Sequence, residues 1–392
     1  MPQIDKFQEE TGIKVNIEII PFSELQTKAT LMLSQGSDQY DIMFNNANTT
    51  AANVANNYLL ALDEYLKDDR LNIYYDESDL IPGYLNLFKV DGKLYGLPVY
   101  GESSFLMYRK DVFDEYGLKV PETFTELYEC AKTIYERSGG KMYGITLRGG
   151  VDRYNLDACS PFIWGFGGRW FDENDQLDLD SPEAIAGVEM FAKLVREYAP
   201  PGAANFGWQE NRLAFSNGLA AMTIDATVNG AYNEDPNESK IVGLVGYAKM
   251  PVEVSKDKLY GNNAALVSHG LFINPFVSEA RKQAAVLFAT WATSSEVQAE
   301  AQVVSPFCGT SSLSAMQSPA FKERYAPFID AMVYSINNGN PGLSGANPKG
   351  NELRSLVSTA INQVIVGEKT AEEAMKEVTE KINSTILKNG FN

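Results

Sequence analysis

Carboxylates dominate the chemistry-bearing side chains of this sequence. Its 392 residues hold 51 Asp+Glu against 33 Lys+Arg, with one His and three Cys. Two carboxylates can break a glycosidic bond, but such a pair is defined by a separation of ~5–10 Å in space, which chain spacing does not supply. A Ser-His-Asp triad would have to use His269, in Val267-Ser-His-Gly-Leu271, and no Gly-x-Ser-x-Gly elbow accompanies it. The plainer reading of His269 is a hydrogen-bonded residue at a strand end. Ser255-x-x-Lys258 matches a β-lactamase triplet but lies in a charged loop without that family's companion motifs. Cys130, Cys159 and Cys308 are odd in number and far apart, with no Cys-x-x-Cys, so zinc and dithiol chemistry lack their motifs. Neither a phosphate loop nor a dinucleotide-binding glycine pattern occurs. No catalytic set, metal or cofactor is expected.

Asp172, Asn174, Asp180 and Glu183 fall at calcium-loop spacing, but Leu177 stands where that loop needs Gly. Ser181-Pro182 reads instead as a helix start, which makes Glu173–Gln176 the tip of a hairpin. Trp291 lies on a helix-packing stripe. Trp164 and Trp170 flank the turn-rich Gly165-Phe-Gly-Gly168 and are candidates for stacking on a ligand. The net charge of -18 argues against nucleic acid or an anionic membrane as partner, and fits a small neutral or cationic ligand.

These residues must be positioned by alternating strands and helices, the pattern of an α/β protein. Ile13, Val15, Ile17 and Ile19 alternate as in a strand, Phe22–Leu33 reads as a helix, and Asp41–Phe44 as a short buried strand. Asn45 and Asn48 follow in a polar loop at that strand's carboxyl end, where open α/β sheets bind ligands; a helix from Thr49 would make Asn48 its cap instead. Further strands are expected at Ser104–Arg109, Tyr143–Leu147, Leu219–Ile224, Ile241–Tyr247 and Asn263–Asn274. Helices are expected at Pro182–Tyr198, Pro319–Ile336 and Glu352–Val366, with capping boxes at Thr123-x-x-Glu126 and Thr370-x-x-Glu373. No stretch approaches the ~20 apolar residues of a membrane span.

Several blocks together resemble the extracellular solute-binding proteins of ABC importers, in the group that takes sugars and sugar alcohols. They are Phe7-Gln-Glu-Glu-Thr-Gly-Ile-Lys-Val15, Tyr95-Gly-Leu-Pro-Val-Tyr100 running on to Leu106-Met-Tyr-Arg-Lys-Asp-Val-Phe113, and Tyr198-Ala-Pro-Pro-Gly202. Ala214-Phe-Ser-Asn-Gly-Leu-Ala-Ala-Met-Thr-Ile-Asp225, Phe288-Ala-Thr-Trp-Ala-Thr293 and Gly367-Glu-Lys-Thr-Ala-Glu-Glu-Ala374 complete the set, in the family's order.

The resemblance implies a two-lobed periplasmic-binding-protein fold of type II, with the ligand in a cleft between lobes joined by crossing strands. Lobe 1 would comprise residues 1–105 and 262–309, and lobe 2 residues 106–261 and 310–392. Relatives place a strand before the first helix, whereas this chain begins at that helix, so a shortened chain whose leader lies outside it is expected. The implied ligand contacts are Asn45, Asn48, Glu102, Arg148, Arg153, Asp225, Ser268, His269 and Arg354; Trp164, singled out above from the residues alone, joins them as a stacking ring. At the position of Arg354 some relatives carry an aromatic platform. Bidentate groups of these types suit vicinal hydroxyls, and charged ones bind them more strongly. Glu102 is expected to be a solvated carboxylate that contributes little to folding.

The implied function is capture of a carbohydrate or polyol by hinge closure, without catalysis, for an ABC transporter permease. The protein would be a monomer, periplasmic or extracellular, lipid-anchored or free. A glycoside hydrolase using cleft carboxylates is the alternative, and a peptide- or polyamine-binding relative a third.

Overall fold

The computed structural model describes residues 2–254, 264–304, 309–340 and 349–388. Cys308, Ser255 and Lys258 lie outside them. The described strands are β1 (Ile42–Asn46), β2 (Lys89–Val90), β3 (Lys93–Leu94), β4 (Gly96–Arg109), β5 (Met222–Ala226), β6 (Val245–Ala248), β7 (Ala264–Ile273) and β8 (Gly339–Asn340).

β4 joins the two halves of the molecule. From Gly96 to Ser103 it pairs antiparallel with β7, which in turn pairs with β1. From Ser104 to Tyr108 it pairs with β5, and over Leu106–Arg109 with β6. One continuous strand thus changes partners at Ser103–Ser104. Side chains fill in where the ladder switches. The backbone N–H of Ser103 donates to Thr227 Oγ1 at 3.1 Å, and that of Ala265 donates to Ser104 Oγ at 2.9 Å.

Two apolar cores lie on either side of this switch. Leu62, Phe88, Leu97, Phe272 and Val286 centre one of them. The larger gathers Phe124, Ile134, Phe162, Phe191, Val357, Ile361 and Ile382. A third cluster, with Phe105, Met107, Tyr325 and Phe328, packs around the β4 crossing. The helix Phe124–Arg137 shows how local sequence serves the larger core. Thr123 and Glu126 form the expected capping box, typically worth ~1 kcal/mol, and Phe124, Leu127, Ala131 and Ile134 make its buried face. The second capping box, Thr370 with Glu373, also forms.

The hairpin reading of residues 173–176 holds. Asp172 Oδ1 accepts from the N–H groups of Asn174 and Gln176 at 2.8 and 2.9 Å, Phe171 bridges Leu177, and a helix runs from Pro182 to Tyr198.

Four expectations need correction. Residues 13–19 form no strand, because no described strand lies beside them to supply a ladder; Ile17 and Ile19 are exposed. Tyr143–Leu147 makes only single bridges, Tyr143 to Ala220 and Thr146 to Thr223. Pro319–Ile336 is two helices, Pro319–Tyr325 and Ile329–Asn337, broken around Pro327, which has no N–H to continue the ladder. Trp164 and Trp170 are 3% and 4% exposed and belong to the larger core. The helix Arg153–Gly165 that carries Trp164 is buried along nearly its whole last two turns, so the ring serves packing and not a ligand.

Gly101 sets the fit of β4 against its neighbours. A Cβ there would stand 2.3 Å from the ring of Tyr84, itself fully buried. Gly101→Ala is expected to cost about 1–3 kcal/mol through overpacking, read as a lower urea midpoint. An unchanged midpoint would mean the Tyr84 ring moves aside freely.

Candidate functional site

The change of partners along β4 leaves a small pocket, partly open to solvent, lined by Glu102, Ser104, Arg148, Asp157, Asp225 and Val267 among others. Strand pairing explains the approach of two of these. Thr146 bridges Thr223 in parallel register, so Arg148 and Asp225, each two residues further on, emerge side by side on the same face.

They form a buried bidentate ion pair. Arg148 donates through Nε to Asp225 Oδ2 at 3.0 Å and through Nη2 to Oδ1. Burial opposes the charge on Arg148, but Asp225 outweighs it and leaves the guanidinium more firmly protonated than usual. Asp225 also accepts from Asn211 Nδ2 and from the N–H of Ala226, the latter at 2.6 Å. Asn211 is held in turn by Thr146 at 2.8 Å and Thr223 at 3.1 Å. With its acceptors so committed, Asp225 orients Arg148 and does not itself reach for a ligand.

Glu102 differs. Its carboxylate makes no hydrogen bond to any described residue, yet Arg148, Arg153, Asp225 and Asp157 all act on its charge. Burial dominates and raises its pKa to about 7, against the pull of the two arginines. Glu102 is half-buried at the edge of this partly open pocket, so the expected cleft carboxylate keeps some contact with solvent while its pKa is raised. Arg153 opens the helix Arg153–Gly165, and its Nε lies 3.6 Å from Asp157 Oδ2 one turn on. Arg354, on the helix Gly350–Ile365, is 6% exposed, and its Nη2 is buried with no hydrogen-bond partner. That helix touches the Ala47–Thr49 turn, where Asn48 Oδ1 is likewise buried without a partner.

Aromatic surface comes from the same face of the sheet, where β4 runs beside β7 and β1. His269 stacks on Tyr100 with ring centroids 4.8 Å apart, and Phe44 stacks on both at 5.7 and 6.0 Å. Strand register puts Asn46 and Tyr100 opposite His269 on its two sides. Burial, then the charge of Arg153, lowers the pKa of His269 to about 3, so the ring is neutral; its Nε2 meets Asn46 Nδ2 at 3.2 Å. Burial and then Glu102 push the Tyr100 hydroxyl well above the usual phenol value.

Glu102, Arg148, Arg153 and Asp225 are thus brought together, and Arg354 lies within reach of Arg153 and Asp157, whose charges act on it. Ser268 has a supporting place, donating to the Tyr100 carbonyl at 3.0 Å. Asn45 caps its neighbour, accepting from the Asn46 N–H at 2.8 Å. The cap of the turn is Asn46, which accepts from the Asn48 N–H at 2.9 Å, and so Asn48 is not the cap. Trp164 is apart from the cluster, in the larger core.

Sequence reasoning missed Asp157, Tyr100 and Asn211. Asp157 was within reach of it, since Arg153 and Asp157 have the i,i+4 spacing of a helical ion pair. Tyr100 precedes Glu102 by two residues and so shares its strand face. For Asn211 no local signal exists.

The sequence profile of the bacterial extracellular solute-binding proteins matches residues 1–299. The mannitol-binding protein of Pseudomonas aeruginosa is 35% identical over 274 residues, 68% of this chain and 61% of that protein. The match therefore spans less than two thirds of that curated relative. Two solved structures resemble the whole fold. A solute-binding protein of Agrobacterium radiobacter in complex with ribitol has a TM-score of 0.85 at 26% identity, covering 97% of this chain and 93% of its own. One from Agrobacterium vitis with bound D-mannitol scores 0.83 at 29% identity, covering 99% and 95%. The fold, with two apolar cores bridged by a partner-switching strand, is thus that of the type II periplasmic binding proteins, and no described helix is long and apolar enough to cross a membrane. The profile match over most of its length, together with this fold, places the chain in the family of bacterial extracellular solute-binding proteins.

Proposed function

We propose that this protein captures a small polyhydroxylated ligand, a sugar or sugar alcohol, and delivers it to the permease of an ABC importer without chemical change. The observation that carries this reading is the convergence of Glu102, Arg148, Arg153 and Asp157 where β4 passes between the two cores. Such groups, with stacked rings beside them, match the alternating hydroxyls and C–H faces of a polyol, and each polar group desolvated on binding needs a partner there. Acyclic polyols of five or six carbons rank first, because the relatives with bound ribitol and D-mannitol share this fold at 26–29% identity. In this reading lobe 1 comprises residues 1–105 and 262–309 and lobe 2 residues 106–261 and 310–392, the lobes closing as a hinge on a monomer outside the cytoplasmic membrane.

Titration calorimetry against mannitol, sorbitol, ribitol and maltose tests the reading. Stoichiometric heat with unchanged ligand recovered afterwards is expected. Small-angle scattering should show a smaller radius of gyration at saturation. Thermal stability should rise too, by ~2.7 kcal/mol at a hundredfold excess over Kd. Product release in place of stoichiometric binding would transfer the protein to the hydrolases.

A further inference from the structure

The charges in the pocket and beside it, where Arg153 and Arg354 adjoin the lining residue Asp157, do not balance. Arg148 is neutralised by Asp225, and Arg153 stands beside Asp157. Arg354 has no carboxylate within ion-pair distance among the described residues, although its side chain is more than nine-tenths buried and its Nη2 has no hydrogen-bond partner. The charges that act on it are Asp157, Arg153 and Asp152; the first is shared with Arg153, the second is itself positive, and the third is exposed. Glu102, the remaining acid of the pocket, acts with Arg148 and Arg153 and not with Arg354. Burial accordingly disfavours the charged form of Arg354. A buried, unpaired guanidinium is costly unless an anion meets it.

A second orphan sharpens the chemistry. Asn48 Oδ1, in the turn that touches the Arg354 helix, is a buried acceptor without a donor. An anion satisfies Arg354 but has no proton for Asn48; a neighbouring hydroxyl does.

The geometry points to a polyhydroxylated carboxylate, an aldonate, as the ligand: its carboxylate meets Arg354 and its adjacent hydroxyl donates to Asn48 Oδ1, while the rest of the chain runs toward Glu102 and Arg148. This rests on the proposed capture of a polyhydroxylated ligand, but replaces the neutral sugar or alditol by the acid of the same carbon skeleton, against the neutral or cationic ligand expected from the net charge of -18. A guanidinium fork binds a carboxylate through two parallel hydrogen bonds, which a single hydroxyl cannot reproduce. Arg354 is then the residue that distinguishes the acid from the alcohol of the same carbon skeleton.

The test compares matched pairs by calorimetry on the intact protein: mannonate with mannitol, gluconate with sorbitol, ribonate with ribitol. At least one aldonate is expected to bind about tenfold or more tightly than its alditol. Arg354→Gln should remove that preference, lowering aldonate affinity by about ten- to a hundredfold and alditol affinity by a clearly smaller factor. Its thermal midpoint without ligand should be equal to or above the wild-type value, since an uncompensated buried cation is gone. Alditols binding as tightly as, or more tightly than, their aldonates would overturn the inference and leave the proposed function standing. Failure of all six compounds and of maltose to bind would overturn both. Because the matched pairs are compared on the wild-type protein, the decision does not depend on the variant folding.

Discussion

Asp225→Ala is expected to remove about 3–5 kcal/mol of stability, because it leaves the Arg148 guanidinium buried without its counter-charge. Both side chains of this pair are at least nine-tenths buried, so water cannot take over the lost partner. The damage should spread to Asn211, whose Nδ2 loses one of its two acceptors while Thr223 retains the other. Urea unfolding near neutral pH would read this as a large fall in midpoint with little change in slope. Replacing both partners, Arg148→Met with Asp225→Leu, should recover a substantial part of the loss, since two apolar groups need no solvation. That double variant should still lose ligand, because Arg148 is gone from the pocket. A single Asp225→Ala variant with wild-type stability would show that the pair is solvated, contrary to its place between β5 and the Thr146–Arg148 segment.

Glu102 has the second large effect, and its two readouts have opposite signs. Its pKa is about 7 when folded against 4.5 for the free group. Below pH 4.5 both states are protonated and nothing is gained or lost. Between 4.5 and 7 the unfolded chain has released the proton and the folded chain still holds it, so stability falls as pH rises through that window. Above pH 7 the half-buried carboxylate costs less than the ~3 kcal/mol free-energy equivalent of the shift, because solvent screens part of it. Glu102→Gln should therefore stabilise the ligand-free protein at pH 8 and leave it nearly unchanged at pH 4. The variant must be compared with wild type at each pH, since His269 pulls the other way. Its folded pKa of about 3 makes folding less favourable as pH drops below 6.5.

With ligand the order reverses. Glu102→Ala should weaken binding about ten- to a hundredfold through lost charge-assisted hydrogen bonds, and Glu102→Gln should recover part of that. Wild-type affinity should decline as pH falls through 7, when the acceptor takes up its proton. An Ala variant with unaltered affinity would remove Glu102 from the binding surface, and a Gln variant less stable at pH 8 would show that burial does not disfavour its charged form.

Much of the frame was legible in the residues alone. Period and punctuation are local, so the Thr123 and Thr370 caps, the Pro182–Tyr198 helix and the Asp172 hairpin turn could be read directly. Family-ordered blocks around β4 and β5 placed Glu102 and Asp225 near one site. What the sequence could not reveal depends on partners distant along the chain. Ile13–Ile19 has the alternation of a strand, but a strand exists only where another lies beside it, and no described one does. Trp164 sits next to turn-forming glycines, yet its ring belongs to the larger core, because burial is decided by which helices stack on which. Asp225 and Arg148 look from sequence like two separate ligand contacts. Only the parallel register of Thr146 with Thr223 turns them into each other's partner and leaves Glu102, Asn48 and Arg354 with unmet bonding capacity. Residue types determined which charges this protein carries; tertiary structure decided which of them remain available, because pairing and desolvation depend on distances of a few ångströms that no spacing along the chain encodes.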